Sequence, residues 1–191
     1  LTTYLANYYW HEWSGDQDQA RDQRRLMLRG YNLHVSPERD YPLRQFTQKH
    51  DERDNAIGYQ KAAMVFHLLR QEVGDEPFWR SLKQLVAQYR GRRADWQDLE
   101  RVFSDTSGKN LRWFFAQWVE QRGAPDVNVN DVSARRSMAG SFSLRGHVVQ
   151  TGPPFQSPLP LRIRMSGGGE QIFPTRLLDA ETPFTIPLPS R

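Results

Sequence analysis

The sequence has 191 residues, of which 38% are hydrophobic and 12% aromatic, enough to bury the core of one large or two small globular domains. The 26 basic and 22 acidic residues give a net charge of +4, and acids stand near most arginines, which is typical of a solvated surface rather than a nucleic-acid groove. The absence of cysteine excludes disulfide and thiolate chemistry, and no apolar run reaches the roughly 20 residues of a membrane helix.

The stretch YYWHEWSGD, residues 8–16, contains the first half of a zinc motif, His-Glu-x-x-His. That motif needs its second histidine four residues after the first, because positions i and i+4 project from one face of a helix and can grip one metal ion. The fourth residue after His11 is Gly15. The sequence therefore predicts that His11 and Glu12 are not part of a metal site.

Apolar residues recur at helical spacing up to Pro125 and predict a series of helices. The predicted ranges are about 1–13, 16–29, 56–73, 75–89, 96–103 and 111–121. The predicted ends are Gly15, Gly30, Gly74 and Gly123, and the predicted caps are Asp54 or Asn55, Asp75 and Asn110. Residues 31–53 follow no period and predict an ordered surface loop.

Two of these helices have a predicted burial pattern. The helix over 56–73 is apolar around most of its circumference and is expected to be central. The helix that begins at Asp75 is expected to bury one face, which comprises Phe78, Leu82, Leu85, Val86 and Tyr89.

Beyond Pro125 the apolar residues alternate, which predicts strands at about 127–132, 141–150, 159–166, 170–178 and 183–188. The third strand alternates most clearly, and Gly167, Gly168 and Gly169 predict a tight hairpin after it. The fold class is therefore α+β. A helical region over 1–124 precedes a small antiparallel β-sandwich over 125–191, whose last strand could lie beyond the chain.

Four segments, in order, resemble the aminopeptidase N-like zinc metallopeptidases. They are LTTYLANYY, YPLR, GYQKAAMVFHLLRQEVGDEPFWRSLKQLVAQYRGRRADWQDLERVFSDTSGKNL and FFAQWVEQRGAPDVNV. The resemblance covers nearly the whole chain, most specifically residues 57–129. It implies the C-terminal half of a thermolysin-like catalytic domain, followed by a β-sandwich. It also implies that the zinc ligands lie upstream of Leu1, so no metal ligand and no bound zinc are expected in this chain.

Tyr59 in GYQKA matches the family tyrosine whose hydroxyl stabilises the tetrahedral intermediate opposite zinc. The chemistry is reasonable, because a neutral phenol can donate a hydrogen bond to an oxyanion that exists only in the transition state. A core tyrosine on a buried helix is the alternative. Ala62 replaces the glycine of the family pattern Tyr-x-Lys-Gly, which tightens the space beside the helix.

The resemblance implies a parent enzyme that removes N-terminal residues from peptides, with zinc as cofactor and an upstream Glu as general base. The missing upstream half of the catalytic domain is then a partner of this chain, which alone is expected to be inactive. A non-catalytic helical-plus-sandwich interaction scaffold is the second reading, and a basic nucleic-acid binder is the third.

The remaining candidate residues have weaker signals. Lys61 is expected to be a structural or surface cation, His67 a hydrogen-bonded core residue, and Arg44 a residue that pins the YPLR loop near a substrate cleft. Further residues are expected to have no role in chemistry, namely His34, His50 and His147, which lack companions at ligand spacing, and Trp113 and Trp118, which are expected to pack.

Overall fold

Six helices form the first of two units, Leu1–Gly123, and antiparallel strands form the second, Ala124–Arg191. The computed structural model describes residues 1–136, 141–165 and 168–188. The helices are α1 (Tyr4–Tyr9 and Trp10–Trp13), α2 (Gln17–His34), α3 (Glu52–Asn55, Ala56–Lys61 and Ala62–Val73), α4 (Asp75–Tyr89), α5 (Trp96–Ser107) and α6 (Arg112–Phe115 and Ala116–Glu120). The predicted α+β class is confirmed.

Three helices contain wide π-helical turns, at Tyr4–Tyr9 in α1, Ala56–Lys61 in α3 and Ala116–Glu120 in α6. Such turns are rare and occur frequently at functional sites. The turn in α3 includes Tyr59. Helix α3 is also the central helix that the sequence predicts, with buried residues on several sides: Ala56, Ile57, Lys61, Ala62, Ala63, Val65, Phe66, Leu69 and Val73.

Helix α2 continues four residues beyond Gly30, so the predicted stop at that glycine is wrong. A Cβ built on Gly30 would overlap the side-chain amide of Gln60 on α3. The glycine is therefore present for close packing of two helices rather than for a chain reversal. A glycine inside a helix is less favourable for helix stability than alanine by about 1 kcal/mol. At Gly30 the missing side chain allows α2 and α3 to approach each other closely.

Two of the predicted helix caps are also wrong. Asp51, rather than Asp54 or Asn55, caps α3 and accepts a hydrogen bond from the backbone N–H of Asp54 at 2.9 Å. Gly74, with φ 90°, ends α3 as predicted and is itself the residue before α4. Asp75 does not cap α4, because its carboxylate is bound to Arg70.

Aromatic side chains dominate the core of the helical unit. Four buried rings contact one another in the order Phe66, Tyr4, Phe78 and Phe103, with successive centroids 5.6–6.1 Å apart. Val86, which the period placed on the buried face of α4, is 63% exposed. One turn of α4 therefore faces solvent where the spacing alone predicts burial. No helix in the described part of the chain has the length and apolar character that a membrane crossing requires.

Among its described residues, the second unit contains one three-stranded sheet and two short ladders. Its strands are β1 (Asp126–Arg136), β2 (Phe142–Thr151), β3 (Ser157–Pro158), β4 (Leu161–Arg164), β5 (Glu170–Phe173), β6 (Arg176–Leu177) and β7 (Glu181–Leu188). The sheet has the order β1-β2-β7, and β3 pairs with β6 and β4 with β5, all antiparallel.

Val148, Leu177, Phe184 and Ile186 form the core of this unit, and partly buried residues from β2, β4 and β5 pack against it. The core therefore lies between the sheet and the ladders, which gives a small sandwich. Within the predicted strand 159–166 the structure has β4, Leu161–Arg164, and the predicted strand 170–178 is interrupted at Pro174, because proline lacks the N–H that a ladder needs. Ser166 and Gly167 of the predicted strand and hairpin lie outside the described residues.

Candidate active site

Tyr59 lies on the π-helical turn of α3, and its side chain is 41% exposed. The expected alternative, a tyrosine enclosed in the core, therefore does not describe it. Within residues 1–136, 141–165 and 168–188, the Tyr59 hydroxyl makes no hydrogen bond. Its ring meets the ring of Phe46 edge to face, with centroids 5.4 Å apart and planes at 75°.

Most other tyrosines in the chain have a bonded hydroxyl. Tyr8, for example, bonds to Glu12 and Arg24, and Tyr41 donates to Asp54 at 2.8 Å. Burial is the main cause that raises the pKa of Tyr4, Tyr8 and Tyr41, in each case to about 12. Further tyrosines with a bonded hydroxyl are Tyr31 and Tyr89. Tyr59 is thus distinguished by exposure together with a donor that is available to a ligand.

The loop before α3 is anchored at several points, and it carries Phe46. Leu43 is buried, and the Arg44 guanidinium donates to the carboxylate of Glu120 on α6 at 2.7 Å. Tyr41 donates to the buried carboxylate of Asp54, which also accepts from the His50 N–H at 3.0 Å. The hydrogen bond from the His50 N–H is the main cause that lowers the pKa of Asp54 below its ordinary value, and the bond from Tyr41 acts in the same direction.

Lys61, two residues after Tyr59, is buried behind the exposed turn. Its ammonium lies 5.7 Å from the centroid of the Tyr31 ring, and burial lowers its pKa, while the charge of Asp40 raises it. The Lys61 Nζ has no hydrogen-bond partner among the residues that the structure describes. Because Lys61 is buried, the expectation of a surface cation is wrong, and the structural role stays a prediction.

Asp40 connects this region to the end of α6. Its carboxylate accepts from the Tyr31 hydroxyl at 2.8 Å, from the Tyr41 N–H at 2.9 Å and from the Gly123 N–H at 2.5 Å. Asp40 therefore joins Tyr31 on α2 to the loop before α3 and to the end of α6, and its charge acts on Lys61 of the α3 turn. Such bonds restrict the positions of the elements around the turn.

Glu12 of the incomplete motif has contacts within the helical unit. It accepts from the Tyr8 hydroxyl at 3.2 Å and pairs with Arg70 on α3. No group of three or more His, Cys, Asp or Glu side chains that could hold a metal is present in the described part of the chain.

The other candidate histidines are apart from Tyr59 in their contacts. The Nε2 atom of His67 is 3.0 Å from the Gln71 side-chain amide, as expected of a hydrogen-bonded residue. His50 contacts Gln48 in the same way. His147 lies in the second unit, 3.5 Å from the carboxylate of Glu181.

Sequence reasoning missed Phe46 and Gly58. A Cβ built on Gly58 would overlap the Phe46 ring, so the loop and the helix approach closely at that glycine. A signal for Gly58 was present, because a glycine inside a helical pattern is unfavourable unless packing requires it. Phe46 had a weaker signal, as the lone apolar residue in the polar stretch RQFTQKH.

Comparison with known proteins identifies the family. The Peptidase family M1 domain matches residues 3–118 of this chain. Because that match covers more than half of the sequence, the chain belongs to the M1 peptidase family. Peptidases of this family are zinc enzymes in general.

Curated relatives of the chain are aminopeptidases. Aminopeptidase N of Lactococcus lactis subsp. lactis is 35% identical over 79 residues, which are 41% of this chain and 9% of that protein. Mitochondrial aminopeptidase 2 of Saccharomyces cerevisiae is 25% identical over 134 residues, 69% of this chain and 14% of that protein. The chain thus spans about a tenth of the first relative and a seventh of the second.

A solved structure confirms the fold. Legionella pneumophila aminopeptidase A, solved in complex with aspartic acid, superposes with a TM-score of 0.54 at 21% identity. The superposition covers 76% of this chain and 17% of that one. At this level of identity the likeness concerns the fold alone.

Proposed function

We propose that this chain is the downstream part of a zinc aminopeptidase that removes N-terminal residues from peptides. Membership of the M1 family and the aminopeptidase names of the relatives support this proposal. The chain contributes the oxyanion donor Tyr59 and one wall of the substrate cleft. The missing upstream half of the catalytic domain contributes the zinc ligands, and zinc, when bound, supplies a Lewis acid that activates water.

The observation that carries the proposal is the state of the Tyr59 side chain. The hydroxyl is exposed, it has no hydrogen-bond partner among the described residues, and the ring is held by Phe46. When water attacks the scissile carbonyl, charge develops on the carbonyl oxygen. A fixed phenol O–H aimed at that oxygen stabilises the charge without reorganisation, and it contributes more in the transition state than in the ground state.

Replacement of Tyr59 by Phe in the full-length enzyme tests this role. The variant removes one oxygen and keeps the ring that contacts Phe46, so the fold should persist. We expect kcat for aminoacyl-anilide hydrolysis to fall by roughly 10²-fold or more, with zinc content unchanged. Tyr9→Phe is a matched control, because the Tyr9 ring is stacked on Tyr4, contacts Trp79 and lies against Arg70, contacts that a phenylalanine ring preserves.

The outcome also separates the catalytic reading from the scaffold reading. A full-length protein that is inactive and free of zinc would contradict the peptidase proposal and favour a non-catalytic interaction module. Unchanged activity in Tyr59→Phe would leave the peptidase and remove Tyr59 from its mechanism.

The 191-residue chain by itself should neither hydrolyse peptides nor hold zinc stoichiometrically, because its described residues offer no group of metal ligands. Metal analysis after dialysis, together with an anilide assay at high protein concentration, checks this expectation. One tightly held zinc ion per chain would contradict it.

A further inference from the structure

Phe46 contacts both Tyr59, the proposed oxyanion donor, and the glycine that precedes it. Its ring is edge to face with Tyr59, and the same ring occupies the space in which a Cβ of Gly58 would lie. The Phe46 side chain thus packs closely against the exposed face of the π-helical turn. Removal of the ring would leave Tyr59 without its aromatic neighbour in the helical unit.

The backbone of Phe46 is held in place independently of this contact. The Phe46 N–H donates to the carbonyl of Leu43 at 3.1 Å, and the Gln45 N–H donates to the carbonyl of Pro42 at 2.9 Å. The buried side chain of Leu43 and the ion pair between Arg44 and Glu120 fix this short turn to the rest of the helical unit. The backbone that carries the Phe46 ring is therefore anchored to the helical unit.

We infer that Phe46 is a positioning residue for Tyr59, and that Gly58 is the gap that admits its ring. This inference rests on the proposed function of Tyr59. An exposed tyrosine can rotate about two side-chain bonds, and an edge-to-face partner restricts that rotation. Since misplacement of a reacting group by about 1 Å can cost as much as 10²-fold in rate, the restriction acts on kcat.

Phe46→Leu in the full-length enzyme is the first test. Leucine keeps an apolar side chain on the loop and removes the aromatic edge that meets Tyr59. We expect kcat to fall roughly 10-fold while KM and zinc content stay within about 2-fold of the unmodified enzyme, because the lost property is orientation in the transition state. Phe142→Leu is a control, since Phe142 is a partly exposed phenylalanine in the second unit.

A double-mutant cycle separates positioning from general damage. If Phe46 acts through the Tyr59 hydroxyl, Phe46→Leu should have no further effect on kcat in a Tyr59→Phe background. A structural role would lower the activity of both backgrounds by the same factor. Equal losses in the two backgrounds would overturn the inference.

A spectroscopic readout tests the contact without reference to activity. The enzyme is labelled with 3-fluorotyrosine, and the ¹⁹F signal of residue 59 is assigned by its loss in Tyr59→Phe. The ring current of Phe46 should shift that signal, and Phe46→Leu should move it toward the position of a solvent-exposed tyrosine. An unmoved signal would overturn the inference.

Gly58→Ala gives the reciprocal test, because the new methyl group would displace the Phe46 ring. We expect a loss of stability and of kcat. Phe46→Ala added to Gly58→Ala should restore the stability, since the clash is relieved, but not kcat, since Tyr59 still lacks its partner. Recovery of both would overturn the inference.

The inference and the proposed function fail in different ways. If Tyr59→Phe lowers kcat and Phe46→Leu does not, the function stands and the positioning role is wrong. If Tyr59→Phe leaves kcat unchanged, the role of Tyr59 fails first, and the positioning role fails with it.

Discussion

The helical unit and the β unit are stabilised in different ways. All six tryptophans and all seven tyrosines of the sequence lie within residues 1–123, and beyond that point phenylalanine is the only aromatic residue. The helical unit combines stacked rings with ion pairs between distant segments, whereas the β unit relies on strand ladders and a core of four buried residues. The ion pairs among its described residues join neighbouring strands, as in Arg162 with Glu170.

This difference bears on where a catalytic side chain can be placed. Long-range pairs such as Arg44 with Glu120, 76 residues apart, and Arg70 with Glu12, 58 residues apart, fix elements relative to one another. A group that must be held within a fraction of an ångström benefits from such support. Tyr59, the proposed oxyanion donor, lies in the helical unit, which has these long-range pairs. It is on helix α3, which contacts the anchored loop through Phe46.

The largest expected effect comes from Arg70→Met, which breaks the densest network of the helical unit. Arg70 donates to Asp75 at 2.7 and 2.9 Å, pairs with Glu12, and lies 4.9 Å from the centroid of the Tyr9 ring. Loss of the cation leaves the Glu12 carboxylate, only 24% exposed, without its charged partner and with the Tyr8 hydroxyl as its remaining side-chain donor. We expect the free energy of unfolding to fall by about 4 kcal/mol.

Tryptophan fluorescence reports this change in the helical unit alone, because the β unit contains no tryptophan. Urea denaturation followed by fluorescence is therefore the measurement. Arg25→Met is the matched control, since Arg25 makes an exposed pair with Asp22 on one helix, and should shift stability by less than about 1 kcal/mol. Equal effects of the two variants would contradict the importance of the network.

Phe184→Ala tests the β unit in the same manner. Phe184 belongs to the core with Val148, Leu177 and Ile186, and its Cζ lies 2.7 Å from the position of a Cβ on Gly146. Loss of the ring should destabilise this unit by about 3 kcal/mol, because the small core leaves a cavity with few groups to fill it.

Hydrogen exchange of β2 and β7 measures the effect of Phe184→Ala, and tryptophan fluorescence is the counter-measurement. Exchange in both strands should accelerate, while the fluorescence transition of the helical unit keeps its midpoint. A parallel shift of the fluorescence midpoint would show that the units unfold together, and the comparison would then not hold. Phe142→Ala, at a partly exposed position on β2, is the control with a small expected effect.

The fold class could be predicted from the sequence because it depends on the spacing of apolar residues and on the positions of glycine and proline. The central helix α3 was predicted from apolar residues around its circumference, and its end was predicted from Gly74. In the structure Gly74 has a positive φ, which a glycine adopts readily. Two of the errors share a physical cause, namely that tertiary contacts outweigh local signals. Gly30 admits Gln60, and Asp75 binds Arg70 instead of capping α4.

The candidate site was readable only in part. Tyr59 was found through its resemblance to a family motif, since nothing in its spacing separates an exposed phenol from a buried one. Phe46 and Gly58 were missed because their relation joins a loop without period to a helix, and no local rule predicts which loop residue reaches which turn. Arg44 was correctly expected to pin the loop, but its partner Glu120 lies far away in sequence.

The smallest expected effect concerns pH and again separates the two units. His67 on α3 is packed edge-on against the Tyr8 ring, with centroids 4.9 Å apart. Burial lowers its pKa from 6.5 to about 4, the charges of Arg24 and Arg70 act in the same direction, and that of Glu12 opposes them. The folded helical unit therefore keeps His67 neutral at a pH where the unfolded chain would protonate it.

The sign of the pH effect follows from that difference in proton binding. Below about pH 6.5 the unfolded state binds the additional proton, so the contribution of His67 to stability is present above that pH and is lost as the pH falls toward 4. We expect a loss of about 2 kcal/mol across this window in fluorescence-monitored unfolding. His67→Gln should remove this part of the pH dependence, whereas His34→Gln, at an exposed position near the end of α2, should leave it unchanged. A pH profile that is identical in His67→Gln and in the unmodified chain would show that other groups of the helical unit cause it.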